Sequence, residues 1–331
     1  MKHALVTGGA GFIGSHLCES LLERGFRVTV VDDESTGSRK NLQAVERHQQ
    51  FHYEFGSVAE AALVRKLVAD ADVVFHLAAA VGVRLIAENP VHTIETNIYP
   101  TELLLRELRE RQQAGRDVKI VLASSSEVYG KNPKPQWNED DDLVLGPTSR
   151  PRWAYGASKA IDEFLALGYW RQYSLPVVVC RFFNVVGPRQ TGRYGMVLPR
   201  FVEAAAAGGP LVVHADGQQV RCFAHVADVV SAVIALAESE AAAGRVFNVG
   251  SDEPVSIGEL AGRVIAAVNP AAAIEYESYA EAFAADFDDV RVRVPDLTRL
   301  RETIDFRPQY TLDRIISELA DWQRDNSTTQ A

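Results

Sequence analysis

A tyrosine and a lysine stand four residues apart in Tyr155-Gly156-Ala157-Ser158-Lys159, and this spacing is the first in the chain that points to chemistry. On a helix, positions i and i+4 share a face, so the phenol and the ammonium sit together. A free tyrosine, with a pKa near ~10, is a poor base at neutral pH. A lysine cation beside it is expected to favour the phenolate and lower that value. Such a pair can take the proton of a hydroxyl while hydride leaves the same carbon. Alone, the spacing is also a common chance pattern, with Tyr155 in the core and Lys159 in solvent.

Two earlier segments give it weight. Thr7-Gly8-Gly9-Ala10-Gly11-Phe12-Ile13-Gly14 follows an apolar run and opens a helical one. Gly8, Gly11 and Gly14 suit a tight turn, the close approach of a pyrophosphate and close helix–sheet packing. Free N–H groups at the helix start would then face the phosphates. Asp32 closes the next apolar run about 20 residues on, where a carboxylate accepts a ribose 2′-hydroxyl. It favours NAD over NADP, although Arg39 and Lys40 lie nearby. Asp33 reads equally as a turn residue. The second segment, Ala123-Ser124-Ser125-Ser126-Glu127-Val128-Tyr129-Gly130, ends another apolar run. Ligands of open α/β sheets bind beyond the carboxyl ends of strands, so Ser125, Ser126 and Glu127 are expected to face a substrate.

The elements that must position these groups alternate. Ala4–Thr7, Arg27–Val31, Phe51–Glu54, Val73–His76, Lys119–Ala123 and Val177–Arg181 read as strands. Ile13–Glu23, Ala59–Ala69, Pro90–Gln113 and Ala154–Tyr173 read as helices between them. This alternation predicts parallel βαβ units with right-handed crossovers. The fold class is therefore α/β, a doubly wound Rossmann-type sheet with a smaller C-terminal substrate lobe. Residues 1–184 form the dinucleotide domain, its sheet completed by later segments such as Phe247–Gly250; residues 185–325 form most of the lobe. Ser256, with Glu259 three residues on, predicts a capped helix to Val268. A last helix over Leu312–Arg324 precedes a polar tail, 326–331, expected to fray.

Composition excludes several classes. With 47% hydrophobic and 24% charged residues the chain is globular. A net charge of -10 argues against a nucleic-acid partner, which needs a basic face. No leader pattern and no apolar stretch of bilayer length is visible, so no membrane contact is expected. Cys18, Cys180 and Cys222 are too scattered for a disulfide framework or a metal site; no metal is expected, and the cytoplasm is the expected compartment.

Taken together, the motifs resemble the extended short-chain dehydrogenase/reductases, the NAD-dependent nucleotide-sugar epimerases, dehydratases and decarboxylases. The likeness spans nearly the whole chain and continues through His76-Leu77-Ala78-Ala79, Asn97, Arg181-Phe182-Phe183-Asn184-Val185-Val186-Gly187-Pro188-Arg189 and Gln219-Val220-Arg221-Cys222-Phe223. It implies that Phe12, Ile13, Asp33, Ser57, Val58, Leu77, Ala78, Ala79 and Asn97 join the glycines, Tyr155 and Lys159 around NAD. It implies Asn184 at the nucleotide diphosphate, with Arg221 and Arg293 on its phosphates, as a guanidinium fork suits. It also implies a homodimer, paired through the helices of Pro90–Gln113 and Ala154–Tyr173.

The implied reaction begins with oxidation at sugar C4. Epimerases of this family usually carry Ser, Ala or Thr where Glu127 stands, and glucose 4,6-dehydratases an Asp-Glu pair. Ser126-Glu127 looks most like the UDP-glucuronate decarboxylases, as do Arg152-Trp153 and Arg221-Cys222-Phe223. Departures remain: Ser125 replaces a usual Thr, and Gly156-Ala157 replace the acidic pair of plant and animal enzymes. Gly82-Val83-Arg84 with Glu88-Asn89-Pro90 is similar to UDP-glucuronate 4-epimerases, leaving Arg84 or Arg189 as carboxylate partners. GDP-mannose 4,6-dehydratases also carry Ser-Glu. Epimerase, dehydratase and a non-catalytic NAD-bound sensor or scaffold stand as alternatives, the last disfavoured because Tyr155 and Lys159 are both present.

Overall fold

The structure, a computed structural model, describes residues 1–81, 89–192, 196–282 and 289–329. Its first strands and helices are β1 (His3–Thr7), α1 (Phe12–Glu23), β2 (Arg27–Asp32), β3 (Phe51–Phe55), α2 (Ala61–Val68), β4 (Val73–His76), α3 (Pro90–Gln113), β5 (Lys119–Ser125), α4 (Ala154–Tyr173) and β6 (Val177–Phe182). With β11 (Arg245–Val249), the strands form a sheet in the order β11-β6-β5-β4-β1-β2-β3, seven strands among the described residues. Every pairing in it is parallel. This is the expected doubly wound sheet, and its order reverses at β1, where β2 lies on one side and β4 on the other. The crevice for a dinucleotide opens at such a reversal.

Apolar strands covered on both faces explain the near-continuous hydrophobic runs. On one face α1, Val226–Glu238 and Thr298–Ile304 bury Leu17, Leu21, Val229, Val233 and Leu300 against Val28, Phe75 and Phe247. On the other, α2, α3 and α4 bury Val64, Leu104, Leu108 and Ala166 against Leu5, Val74 and Leu122. Later segments thus supply both a strand and helices to the first half's sheet.

A third cluster belongs to the smaller lobe, where Val197–Ala206, Ile257–Val268 and Leu312–Thr329 pack Phe201, Leu260, Ile316 and Leu319 over β8 (Leu211–His214). Ser256 Oγ accepts the Glu259 N–H at 3.1 Å, the cap foreseen from the sequence. The final helix runs on past Arg324 to Thr329, into the segment expected to fray. The β-ribbon of β9 (Val220–Cys222), Pro254–Ser256 and Val292–Arg293 brings Arg221 and Arg293 side by side, in register, and the short strands β7 (Val185–Val186) and β10 (Ala224–His225) pair in parallel. A buried aromatic group, Tyr129, Trp137, Trp153 and Phe183, underlies the end of β5.

Candidate active site

The glycine turn is shaped by lack of room. Gly8 has φ +70, and a Cβ there would meet the Ala78 nitrogen at 2.7 Å; one on Gly14 would meet Gly8 O at 2.2 Å. Helix α1 therefore starts hard against β1 and β4. Its N-terminus has Gly11 as cap, with no side-chain cap and no acidic residue in the first turn. Backbone donors there are left to an anion.

Asp32, buried at the end of β2, accepts the Ala10 N–H at 2.9 Å and the Glu34 N–H at 2.8 Å. Burial pushes its carboxyl above the ordinary value, and the two N–H groups offset part of that. Arg39 is paired with Glu46 at 2.5 Å, and its ring contact is with Tyr53. A 2′-phosphate would meet the Asp32 carboxylate, so the site fits NAD.

A cleft of about 960 Å³ runs from this turn, across the ends of the strands, to the smaller lobe. Gly8, Gly11, Phe12, Ile13, Gly14, Asp32, Leu77, Ala78 and Ala79 line one end; Ser125, Ser126, Glu127, Tyr155, Lys159, Asn184, Arg189, Arg221 and Arg293 line the rest. Four residues assigned to the cofactor by resemblance lie outside this lining. Asp33 accepts from Ser35 N–H as a turn residue, and Ser57 accepts from Ala59 N–H. Val58 packs into the hydrophobic layer under α2. Asn97 is buried in α3, where it accepts from Ala80 N–H at 2.8 Å and donates to Ser158 Oγ at 3.0 Å. It positions the backbone after β4. Arg84 lies outside the described residues.

Helical spacing alone predicts a Tyr155 phenol depressed by Lys159. The structure gives the opposite direction. Burial raises the phenol well above its ordinary value, the Glu127 carboxylate adds to this, and a hydrogen bond with the Ser125 side chain opposes it. The Lys159 ammonium is engaged by Asp162 Oδ2 at 3.2 Å, at i+3, rather than by the phenol at i−4.

Glu127 stands on the short 3-10 turn Ser126–Tyr129 that ends β5. Its two oxygens meet two arginines: Oε2 with Arg152 at 2.7 Å and Oε1 with Arg293 at 2.7 Å. Burial alone would raise its carboxyl, but the guanidinium charges of Arg293 and Arg152 hold it far below the ordinary range. It is therefore held as an anion, unsuited to donate a proton. Arg293, assigned above to a phosphate, is the partner of this carboxylate.

Arg221 forks onto Asp289 at 3.1 and 3.2 Å, and Tyr279 donates to the same carboxylate at 2.6 Å. Asn184 adopts φ +32 and donates to Cys222 O at 2.9 Å, tying the segment after β6 to β9. Arg189, at φ +70, pairs with Glu19 at 2.7 Å and donates to Asn41 O at 3.0 Å. These partners belong to α1 and the turn after β2, so Arg189 serves the dinucleotide end of the cleft.

Arg152 was read only as part of a resemblance, yet it is the second arm of the Glu127 clamp. The available signal was its place three residues before Tyr155, on the turn entering α4. Gln219, Tyr279 and Asp289 also line the cleft, and no motif flagged Tyr279 or Asp289. Among the described residues there is no metal-binding cluster, and no helix is long and apolar enough to cross a membrane.

The model of the NAD dependent epimerase/dehydratase family matches residues 4–250. A UDP-N-acetyl-alpha-D-glucosaminuronate decarboxylase of Bacillus cytotoxicus is 38% identical over 333 residues, spanning 98% of each chain. UDP-glucuronic acid decarboxylase 1 of Arabidopsis thaliana is 32% identical over 311 residues, 93% of this chain and 66% of that protein. Among solved structures, the UDP-glucuronic acid 4-epimerase of Bacillus cereus in complex with UDP-glucuronic acid and NAD superposes with a TM-score of 0.86 at 27% identity, covering 98% of this chain and 99% of that one. This chain belongs to the NAD dependent epimerase/dehydratase family.

Proposed function

We propose that this chain decarboxylates a UDP-linked hexuronate, UDP-glucuronate in the first instance, after oxidising it at C4. The observation that carries the reading is the Glu127 carboxylate fixed between Arg152 and Arg293 beside the Ser125–Tyr155 pair. The glycine turn and Asp32 would hold the cofactor, with Tyr155 and Lys159 toward its nicotinamide end. NAD, when bound, accepts the hydride from C4.

Tyr155, as phenolate, takes the proton of the C4 hydroxyl, with Ser125 hydrogen-bonded to the same phenol. The resulting C4 ketone makes the C5 carboxylate that of a β-keto acid. The C5–C6 bond breaks, CO2 leaves, and its electron pair moves into the C4–C5 enolate. A proton added at C5 gives the 4-keto-pentose, which is released, or reduced to UDP-xylose when the hydride taken from C4 returns to it and Tyr155 gives back the proton. No strong base is needed at C5. Glu127 sets the positions of two arginines, which are suited to a substrate carboxylate or to water near C5. Arg221 remains the candidate for the diphosphate.

A second reading, in which C2 carries an acetamido group, is favoured by the Bacillus cytotoxicus relative at 38% identity. The test is incubation of the NAD-loaded protein with UDP-glucuronate and with its 2-acetamido counterpart. Loss of about 44 mass units (CO2, with the ketone reduced again) or about 46 (CO2 and two hydrogens, with the ketone released) from either substrate supports decarboxylation and selects the sugar. An isobaric product from both points to 4-epimerisation and refutes it.

The proposal includes a homodimer. Val91, Ile94 and Tyr99 on α3 and Ile161 and Phe164 on α4 are exposed, and α3 packs directly on α4. An apolar patch on two adjacent helices is a surface that a second copy would cover. It also includes a cytoplasmic setting, supported by three buried thiols, Cys18, Cys180 and Cys222, each unpaired.

A further inference from the structure

Three polar side chains follow one another along one face of α4: Tyr155, Lys159 and Asp162, spaced by four and then three residues. Lys159 sits between a phenol one turn behind and a carboxylate one turn ahead. Lys159 is 2% exposed and Asp162 0%. Neither charge has access to water, so each must be met by the other.

Other charged groups around them are already committed. Glu127, which faces Tyr155, is held by Arg152 and Arg293; Glu163, beside Asp162, is held by Arg181 at 2.7 Å. From β4, His76 faces Lys159, and burial keeps its imidazole neutral. His76 Nε2 contacts the Thr101 hydroxyl of α3 at 3.2 Å, and that hydroxyl also acts on Asp162. Asp162 is thus the anion in direct contact with the ammonium.

We propose that Asp162 is a positioning residue of this active site, a buried carboxylate that competes with the Tyr155 phenolate for the Lys159 ammonium. Burial, Glu127 and Asp162 all favour the protonated phenol, which fits this competition. The inference rests on the reading of Tyr155 as the base. With Asp162 neutral, a phenolate becomes the nearest anion available to Lys159, and the tyrosine–lysine pair gives up its first proton more readily.

The test is the acid limb of kcat/KM, followed in the holoenzyme at saturating NAD with the uronate that it decarboxylates. Asp162→Asn is expected to move the limb down by about one pH unit, a roughly tenfold gain on the acid side, and Asp162→Glu to return it to the wild-type position. A limb that stays in place or moves up in Asp162→Asn overturns the proposal. If the asparagine variant does not fold, Asp162→Ser, smaller and still able to meet Thr101, is read in the same way. Tyr155→Phe separates the two levels. An active Tyr155→Phe enzyme defeats the functional reading itself; an inactive one with an unmoved Asp162→Asn limb defeats this inference alone.

Discussion

The Glu127 carboxylate and the Arg293 guanidinium meet at 2.7 Å inside the cleft, although 166 positions of sequence separate a strand end from the lobe's ribbon. Arg152 closes the other side of the same carboxylate. Glu127→Gln keeps the shape and removes the charge, so two buried guanidinium groups lose their anion. CO2 release is expected to fall by about 10²-fold or more, the loss that misplacing positioned groups by about 1 Å can cause. Single-turnover CO2 release measures it, and an unchanged rate removes Glu127 from the reaction. Stability responds too. Glu127 titrates below its ordinary value of 4.5, so its contribution is present above that pH and is lost as pH falls further. The difference in urea midpoint between wild type and Glu127→Gln should therefore shrink in acid.

Asp32 decides between the dinucleotides. Its carboxylate is fixed by Ala10 and Glu34 N–H, while Arg39 is spent on Glu46. Asp32→Ala is expected to weaken NAD binding about tenfold and to narrow or reverse the preference over NADP. Calorimetric titration of both cofactors checks this. An unaltered NAD affinity would show that Asp32 does not meet the ribose.

Much of this arrangement was legible in the residues, for reasons that differ from site to site. Pro90–Gln113 and Ala154–Tyr173 were placed at their observed bounds because a proline opens the first and turn residues end both, although Pro100 lies inside the first and Gly156 and Gly168 inside the second. The glycine turn was legible because its packing demands glycine: a Cβ on Gly14 would fall 2.2 Å from Gly8 O. Charge partners were not legible. Nothing local to Arg293 or Arg221 says that Glu127 or Asp289 will face it, because the ribbon pairing that aligns the two arginines is non-local. The phenol's upward displacement was missed because its main causes, burial and then Glu127, come from packing across the fold, whereas helical spacing shows only Lys159 and Asp162.

The exposed face of α3 and α4 gives a prediction about assembly. Phe164 is 72% exposed, too large an apolar side chain to leave in water on a face that also carries Ile161 and Tyr99. Phe164→Asp would put a charge into the proposed contact between copies. Light scattering is expected to find a dimer for the wild type and a monomer for the variant. A wild-type monomer overturns the assembly.

Two buried histidines set how the fold responds to acid. His76 lies under the cofactor turn, with Nδ1 on Thr7 Oγ1 at 2.7 Å; burial, with a smaller push from Lys159, lowers its pKa to about 3. His225, stacked on Tyr310 at 3.8 Å, is lowered by burial to about 4. Both values lie below the ordinary 6.5, so below that pH the unfolded chain binds protons that the native one refuses. Stability is complete above pH 6.5 and declines as pH falls, down to about 4 for His225 and about 3 for His76. Each group contributes a slope of roughly 1.4 kcal/mol per pH unit within its window. His3, His16 and His214 are also lowered by burial, so the signature of one group is a difference: urea unfolding between about pH 6 and 4.5 should show His225→Gln taking up about one proton fewer than the wild type. Thr7 Oγ1 also accepts the Ala78 N–H at 3.2 Å, so the neutral imidazole holds the backbone that Gly8 packs against. His76→Gln should likewise remove one proton and, unlike His225→Gln, weaken NAD binding as well. Equal effects of the two variants on NAD would separate His76 from the cofactor turn.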